Sequence, residues 1–159
     1  MTRNSLHNPG PRKRQRWRTA LHEAGHAVAF AWLCGQTATA TLFHKGGECQ
    51  YRSRLGPIRP QAIALAAGPT AATFALIRQV PGRRPRKTYR CTWREPVTSD
   101  SEAIRIYSTC VPEDFEGLTA VELSAATFVW DNLDEIVSVA RRLFVQGRII
   151  VPAKSGGKV

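Results

Sequence analysis

The 159-residue sequence predicts a mainly α domain of the α+β class, with one small β-hairpin directly after the first helix. Three observations carry that expectation. Segments 17–34, 60–78 and 119–146 keep apolar residues at helical spacing. Between the first two, "TATATLFH", "KGG" and "ECQYRSR" read as strand, turn and returning strand, because Thr alternates with apolar residues ahead of a Gly-Gly turn. An apolar fraction of 43% over this length suits one globular domain with its own core.

In chain order, residues 1–16 are rich in Pro, Asn and charge and are expected to form a flexible basic arm. A helix should run from Trp17 to Cys34, with Gly35 as its left-handed cap. Pro60 sits where a helix start tolerates proline, and Gly68-Pro69 should kink that second helix, which is apolar on nearly all sides. Residues 81–95 combine breakers with like charge and are expected to be a mobile basic loop. "SDSE" (99–102) has the form of a capping box opening a helix that Pro112 ends. The last helix is expected to be continuous from Thr119 to Gln146, burying Leu123, Ala126, Trp130, Leu133, Val137, Ala140 and Phe144. Gly147 caps it, and "RIIVPA" adds a short edge strand. The domain thus spans 17–152, with a flexible tail at 153–159.

The net charge of +11 is concentrated in two stretches without a single acid, 1–18 and 78–94; outside them acids outnumber bases. No apolar run reaches the ~18–20 residues of a membrane span, and no secretory signal opens the chain, so a soluble cytoplasmic protein is expected. Cys34, Cys49, Cys91 and Cys110 are scattered without CxxC spacing, which argues against a cysteine-built zinc site or a disulfide framework.

"HEAGH" (22–26) carries the chemistry. Residues four apart project from one helical face, so His22 and His26 can reach one ion at the ~2.0–2.1 Å that zinc prefers. Glu23 lies ~100° round the helix, too far to ligate but close enough to take a proton from a water on the ion. Gly25, between the two histidines, lets another backbone approach closely. A third ligand is expected from elsewhere. Ala29 and Trp32 stand where HExxHxxGxxH needs Gly and His, and no acid occurs between Glu48 and Glu95. Asp100 leads, at the first turn of the capped helix; Glu95, Glu48 and His44, the last placed in the first hairpin strand, are the other options.

"HEAGHAVA", "ALAAGPTAA" and "SDSEA", in that order, resemble the peptidase domain of FtsH-type zinc metalloproteases. The resemblance spans about 17–146 and implies a free-standing, zincin-like helical domain. It maps His22 and His26 onto that family's histidine ligands, Glu23 onto its catalytic base and Asp100 onto its aspartate ligand. The chain departs from it at Ala72 and Thr73, where the family has paired glutamates, and at Pro69 in place of an arginine. It has no phosphate-binding loop, ATPase module or membrane anchor.

Two functions follow as expectations. One is a zinc-dependent, ATP-independent metalloendopeptidase acting on peptide or protein substrates, with Zn2+ on His22, His26 and Asp100 and Glu23 as general base. The other is a nucleic-acid-associated or regulatory protein with a structural or vestigial zinc site. Its candidate contacts are Arg12, Lys13, Arg14, Arg16, Arg84, Arg86 and Lys87, interleaved with Trp17, Tyr89 and Trp93.

Overall fold

The computed structural model describes residues 11–51, 58–78 and 118–154. Their order is α1 (Pro11–Leu33), β1 (Ala38–Leu42), β2 (Gly47–Gln50), α2 (Ile58–Arg78), α3 (Leu118–Asp131), α4 (Leu133–Gln146) and β3 (Arg148–Val151). Four helices and one three-stranded antiparallel sheet make an α+β fold, as expected. The loop 81–95, Asp100 and the 99–112 helix lie outside the described residues.

α1 is the spine. It packs against α2, α4 and all three strands. Ala20, Leu21, Ala24, Ala27, Val28, Ala29, Phe30 and Ala31 are fully buried, so nearly every side of its second half is covered. α2 answers with Ala62, Ala64, Leu65, Ala66, Ala67 and Ala71, also buried. Small side chains on both helices let their backbones approach closely. At Gly25 a Cβ would stand 2.7 Å from the Ala67 carbonyl oxygen and 2.7 Å from the Ala71 Cβ. Glycine in mid-helix costs ~1 kcal/mol against alanine, and here it is required by the crossing.

β1 is the central strand, paired with β2 on one side and β3 on the other. Ala38, Ala40 and Leu42 point inward, and the intervening threonines face outward. Gly35, Gly46 and Gly147 adopt positive φ of 60°, 106° and 76°, which is why glycine occupies the two helix exits and the hairpin turn. The Gly147 amide donates to the Leu143 carbonyl at 2.8 Å and ends α4.

Two expectations are corrected. α1 begins at Pro11, so residues 11–16, assigned by composition to the arm, are helical; Pro11 supplies the preset φ of a first helical position. The final helix is two helices, parted at Asn132, whose amide and side-chain nitrogen both donate to the Phe128 carbonyl, at 3.1 and 2.7 Å. The buried stripe nonetheless keeps one helical spacing across the break, and it is not the stripe expected. α3 buries Val121, Ala125 and Val129 and exposes Leu123 and Trp130, while α4 buries Leu133, Ile136, Val139, Ala140 and Leu143.

Among the described residues no helix is long and apolar enough to cross a membrane. Gly25→Ala should lower the stability of the fold by about 1–3 kcal/mol despite its better helix propensity, because the added methyl meets backbone rather than a movable side chain. Urea denaturation measures this; an unchanged or raised midpoint would mean that the two helices do not cross so closely.

Candidate metal centre

His22, Glu23 and His26 lie in the middle of α1, where it meets α2 and the start of β2. His26 is almost completely buried, at 4% exposure. Its Nδ1 lies 3.0 Å from the Ala64 carbonyl oxygen of α2, which can only accept, so Nδ1 carries the proton. In the neutral ring Nε2 then keeps its lone pair. That lone pair faces Nε2 of His22 at 3.1 Å, with the two rings edge-on at 83°.

Two such nitrogens at this distance need a proton or a cation between them. Two ligands at ~2.0–2.1 Å from a tetrahedral zinc have their nitrogens about 3.3 Å apart, close to the observed separation. The donor on the far side of His26 is the backbone-anchored N–H that metal-binding histidines commonly present, and it fixes both tautomer and ring plane. The pair therefore fits a borderline-soft divalent ion such as zinc.

Two glycines hold the site in shape. Gly68 of α2 lies flat against the His26 imidazole, and a Cβ there would overlap the ring. Gly47, opening β2, does the same for Glu23: a Cβ would stand 2.7 Å from the Glu23 Cγ and 3.0 Å from its Oε1. Glu23 is 6% exposed and, with His26, Gly47, Glu48, Cys49, Tyr51 and Leu65, lines a cleft of about 210 Å³. The Tyr51 ring stacks on Phe30, with ring centres 3.4 Å apart.

The expected constellation is thus brought together as far as it is described. His22, Glu23 and His26 share one place, and Gly25 admits α2, as its position suggested. The other options for a third ligand behave differently. His44 belongs to the exposed turn after β1, not to the strand. Glu48 is exposed and lines the same cleft; its Oε1 accepts from the Gln50 side chain at 3.2 Å. Among the described residues no group of three or more His, Cys, Asp or Glu is arranged to hold a metal ion; Asp100 and Glu95 lie outside them. Sequence reasoning missed Gly47, Gly68 and Tyr51. The glycines were legible only as turn and kink formers, since their real partners lie 20 or more positions away.

The basic residues divide. Arg12, Lys13 and Arg14 are exposed on the first turns of α1. Arg16 turns inward, donating to the Phe43 carbonyl at 3.4 Å with its guanidinium 5.8 Å from the Phe144 ring centre. Trp17 packs edge-on against the same ring at 5.8 Å, so it belongs to the α1–α4 contact rather than to an open stacking surface. Arg84, Arg86, Lys87, Tyr89 and Trp93 are outside the described residues.

Comparison with family models, with curated proteins and with solved structures finds no match to this chain.

Gly68→Ala should displace the His26 ring and weaken zinc binding about 10–100-fold, the range typical of disturbing a ligand's support. Calorimetric zinc titration checks it, and parent-like affinity would mean that the ring is not held as described. A second expectation concerns Cys34, at the end of α1, whose thiol is pushed up to about 11 by burial, from 9.0. The protonated thiol therefore favours the fold fully below pH 9, and that contribution is lost as pH rises through about 11. At pH 8 its alkylation by iodoacetamide should be about a hundredfold slower in the folded chain than in urea, because the thiolate is scarcer; mass mapping reads the two rates.

Proposed function

We propose that the protein is a zinc-dependent, ATP-independent metalloendopeptidase. The observation that carries this reading is the opposed Nε2 pair of His22 and His26, anchored through Nδ1 to Ala64, with the Glu23 carboxylate in the same cleft. His22 and His26 would hold the ion, and the resemblance assigns the third position to Asp100. Bound there, zinc would supply Lewis acidity, lowering the pKa of a water and polarising a carbonyl oxygen.

The remaining steps belong to the chain itself. Gly47 leaves room for the Glu23 side chain where any larger residue would press on its Cγ and Oε1. That carboxylate is held at the cleft, positioned to take a proton from the attacking water and return it to the leaving amine. His26 keeps one orientation throughout, since turning would break its bond to Ala64 and meet Gly68. α2 contributes no ligand of its own; its part is a carbonyl and a glycine surface. Among the described residues β2 is an end strand of the sheet, and it lines the cleft, so an extended peptide lying there would run alongside it and be recognised through main-chain groups.

Three variants test the proposal in zinc-loaded protein against a quenched fluorescent peptide. Glu23→Gln should retain zinc while hydrolysis falls by 10²–10⁴-fold, the usual share of a general base. His22→Ala should lose zinc and activity together. Asp100→Asn should remain folded in chelator yet bind zinc far more weakly, because the anionic charge is gone. Parent-like hydrolysis by Glu23→Gln would overturn the mechanism, and unchanged zinc affinity in Asp100→Asn would return the third ligand to Glu95, His44 or Glu48.

A further inference from the structure

We propose that the basic first turns of α1 select substrates carrying an acidic segment three to five residues to one side of the scissile bond. The inference rests on the peptidase reading and adds to it the class of substrate.

The direction of the cleft follows from two contacts. Gly47, at the start of β2, lies against Thr19 and Glu23 of α1, whereas Tyr51, just past its end, stacks on Phe30. β2 therefore runs alongside α1 and in the same direction, and a peptide in the cleft follows the helix axis. Toward the α1 C-terminus it meets Leu65 and the Tyr51–Phe30 stack, which are apolar or aromatic. Toward the N-terminus it passes the hairpin turn, which Arg16 ties down through the Phe43 carbonyl.

Beyond that turn the surface is positive. Arg12, Lys13, Arg14 and Lys45 are exposed, and α1 has no acid in its first turn. Cations at a helix N-terminus oppose the helix dipole, so this arrangement costs stability and is complementary to an arriving carboxylate twice over. The middle of the cleft has the opposite character, with the Glu23 carboxylate at its floor. Acidic side chains are thus disfavoured beside the scissile bond and favoured further out. From Glu23 back to Arg16 and Arg12 the helix rises about 10 and 16 Å, the span of about three to five extended residues. A peptide fits this surface better than a nucleic acid does, because Trp17, the aromatic within the basic run, is packed on Phe144.

The test uses the zinc-loaded full chain and two quenched fluorescent peptides that share one scissile segment. One bears three Asp/Glu residues three to five positions from the bond, placed in separate syntheses on either side; the other bears Ser and Gly there. For one placement the parent should favour the acidic peptide by about tenfold in kcat/KM at low salt, and the preference should fade at 0.5 M NaCl, as a few screened ion pairs dictate. The triple variant Arg12→Glu/Lys13→Glu/Arg14→Glu should lose that preference. Its changes are exposed and place acids where the helix dipole welcomes them, so the fold is kept. Equal rates on both peptides in the parent, or an undiminished preference in the triple variant, would overturn the inference and leave the peptidase reading intact. A binding arm separates the two failures. Zinc-loaded Glu23→Gln should bind a fluorescein-labelled acidic peptide, and the same variant carrying the three reversals should bind it about tenfold more weakly. If that holds while the parent cleaves nothing, the peptidase reading falls and the docking surface stands. Tighter binding of a 12-nucleotide oligothymidine than of the acidic peptide through the same cations would overturn the inference in favour of nucleic acid.

Discussion

The bond from His26 Nδ1 to the Ala64 carbonyl spans 38 residues and joins the two longest helices at their point of closest approach. It forms only because Gly25 and Gly68 remove the side chains that would hold α1 and α2 apart. Each glycine costs roughly 1 kcal/mol of helix propensity. The close crossing offsets that cost through the contacts of the buried alanines, and it also decides which nitrogen of His26 faces His22. Core packing and ligand geometry are here one interaction seen from two sides, so a change at either glycine touches both.

The sheet plays the corresponding part for Glu23. β1 is fixed from both sides, by β2 and β3, and β3 is held near α4 by the Gly147 cap. This leaves β2 little freedom, and its first residue lies directly on the Glu23 side chain. A buried carboxylate needs a defined environment, since an ionised group removed from water and left without partners is costly. Glu23 has that environment on the same helical turn as the histidines, yet displaced round the helix toward the strand. Glu23 is thus positioned by the sheet and His26 by α2, and α1 merely carries both.

How far this was legible in the sequence depends on the range of each interaction. Local signals survived translation into structure: the spacing of His22, Glu23 and His26 on one helix, the hairpin, and the caps at Gly35 and Gly147. The strand at 148–151 was also visible, but not that it would pair with β1. What failed was where a local rule met a competing one. Charge and proline marked 11–16 as an arm, while Pro11 is equally a helix start. An unbroken apolar period hid Asn132, whose side chain competes for a helical carbonyl, and two apolar faces lay side by side in the sequence, of which the core took Val121 and Val129 rather than Leu123 and Trp130. For Glu48 the hairpin was legible but not that its strand would line the cleft beside Glu23 and His26. Gly47 and Gly68 could not be read at all, since a glycine's use depends on what approaches it.

One helix that supplies much of the core, the HEAGH residues and the basic end makes these properties hard to vary separately. Between Ala20 and Ala31 only His22 reaches appreciable solvent, so almost every substitution near the motif is a core substitution too. The first turns are different: Arg12, Lys13 and Arg14 touch solvent, not core, and they lie far enough from Glu23 along the helix to act on a bound chain only at a distance. α1 is therefore divided along its length into a variable end and a constrained middle. In the proposed reading, the alignment of β2 with the helix axis would let an extended substrate sense both.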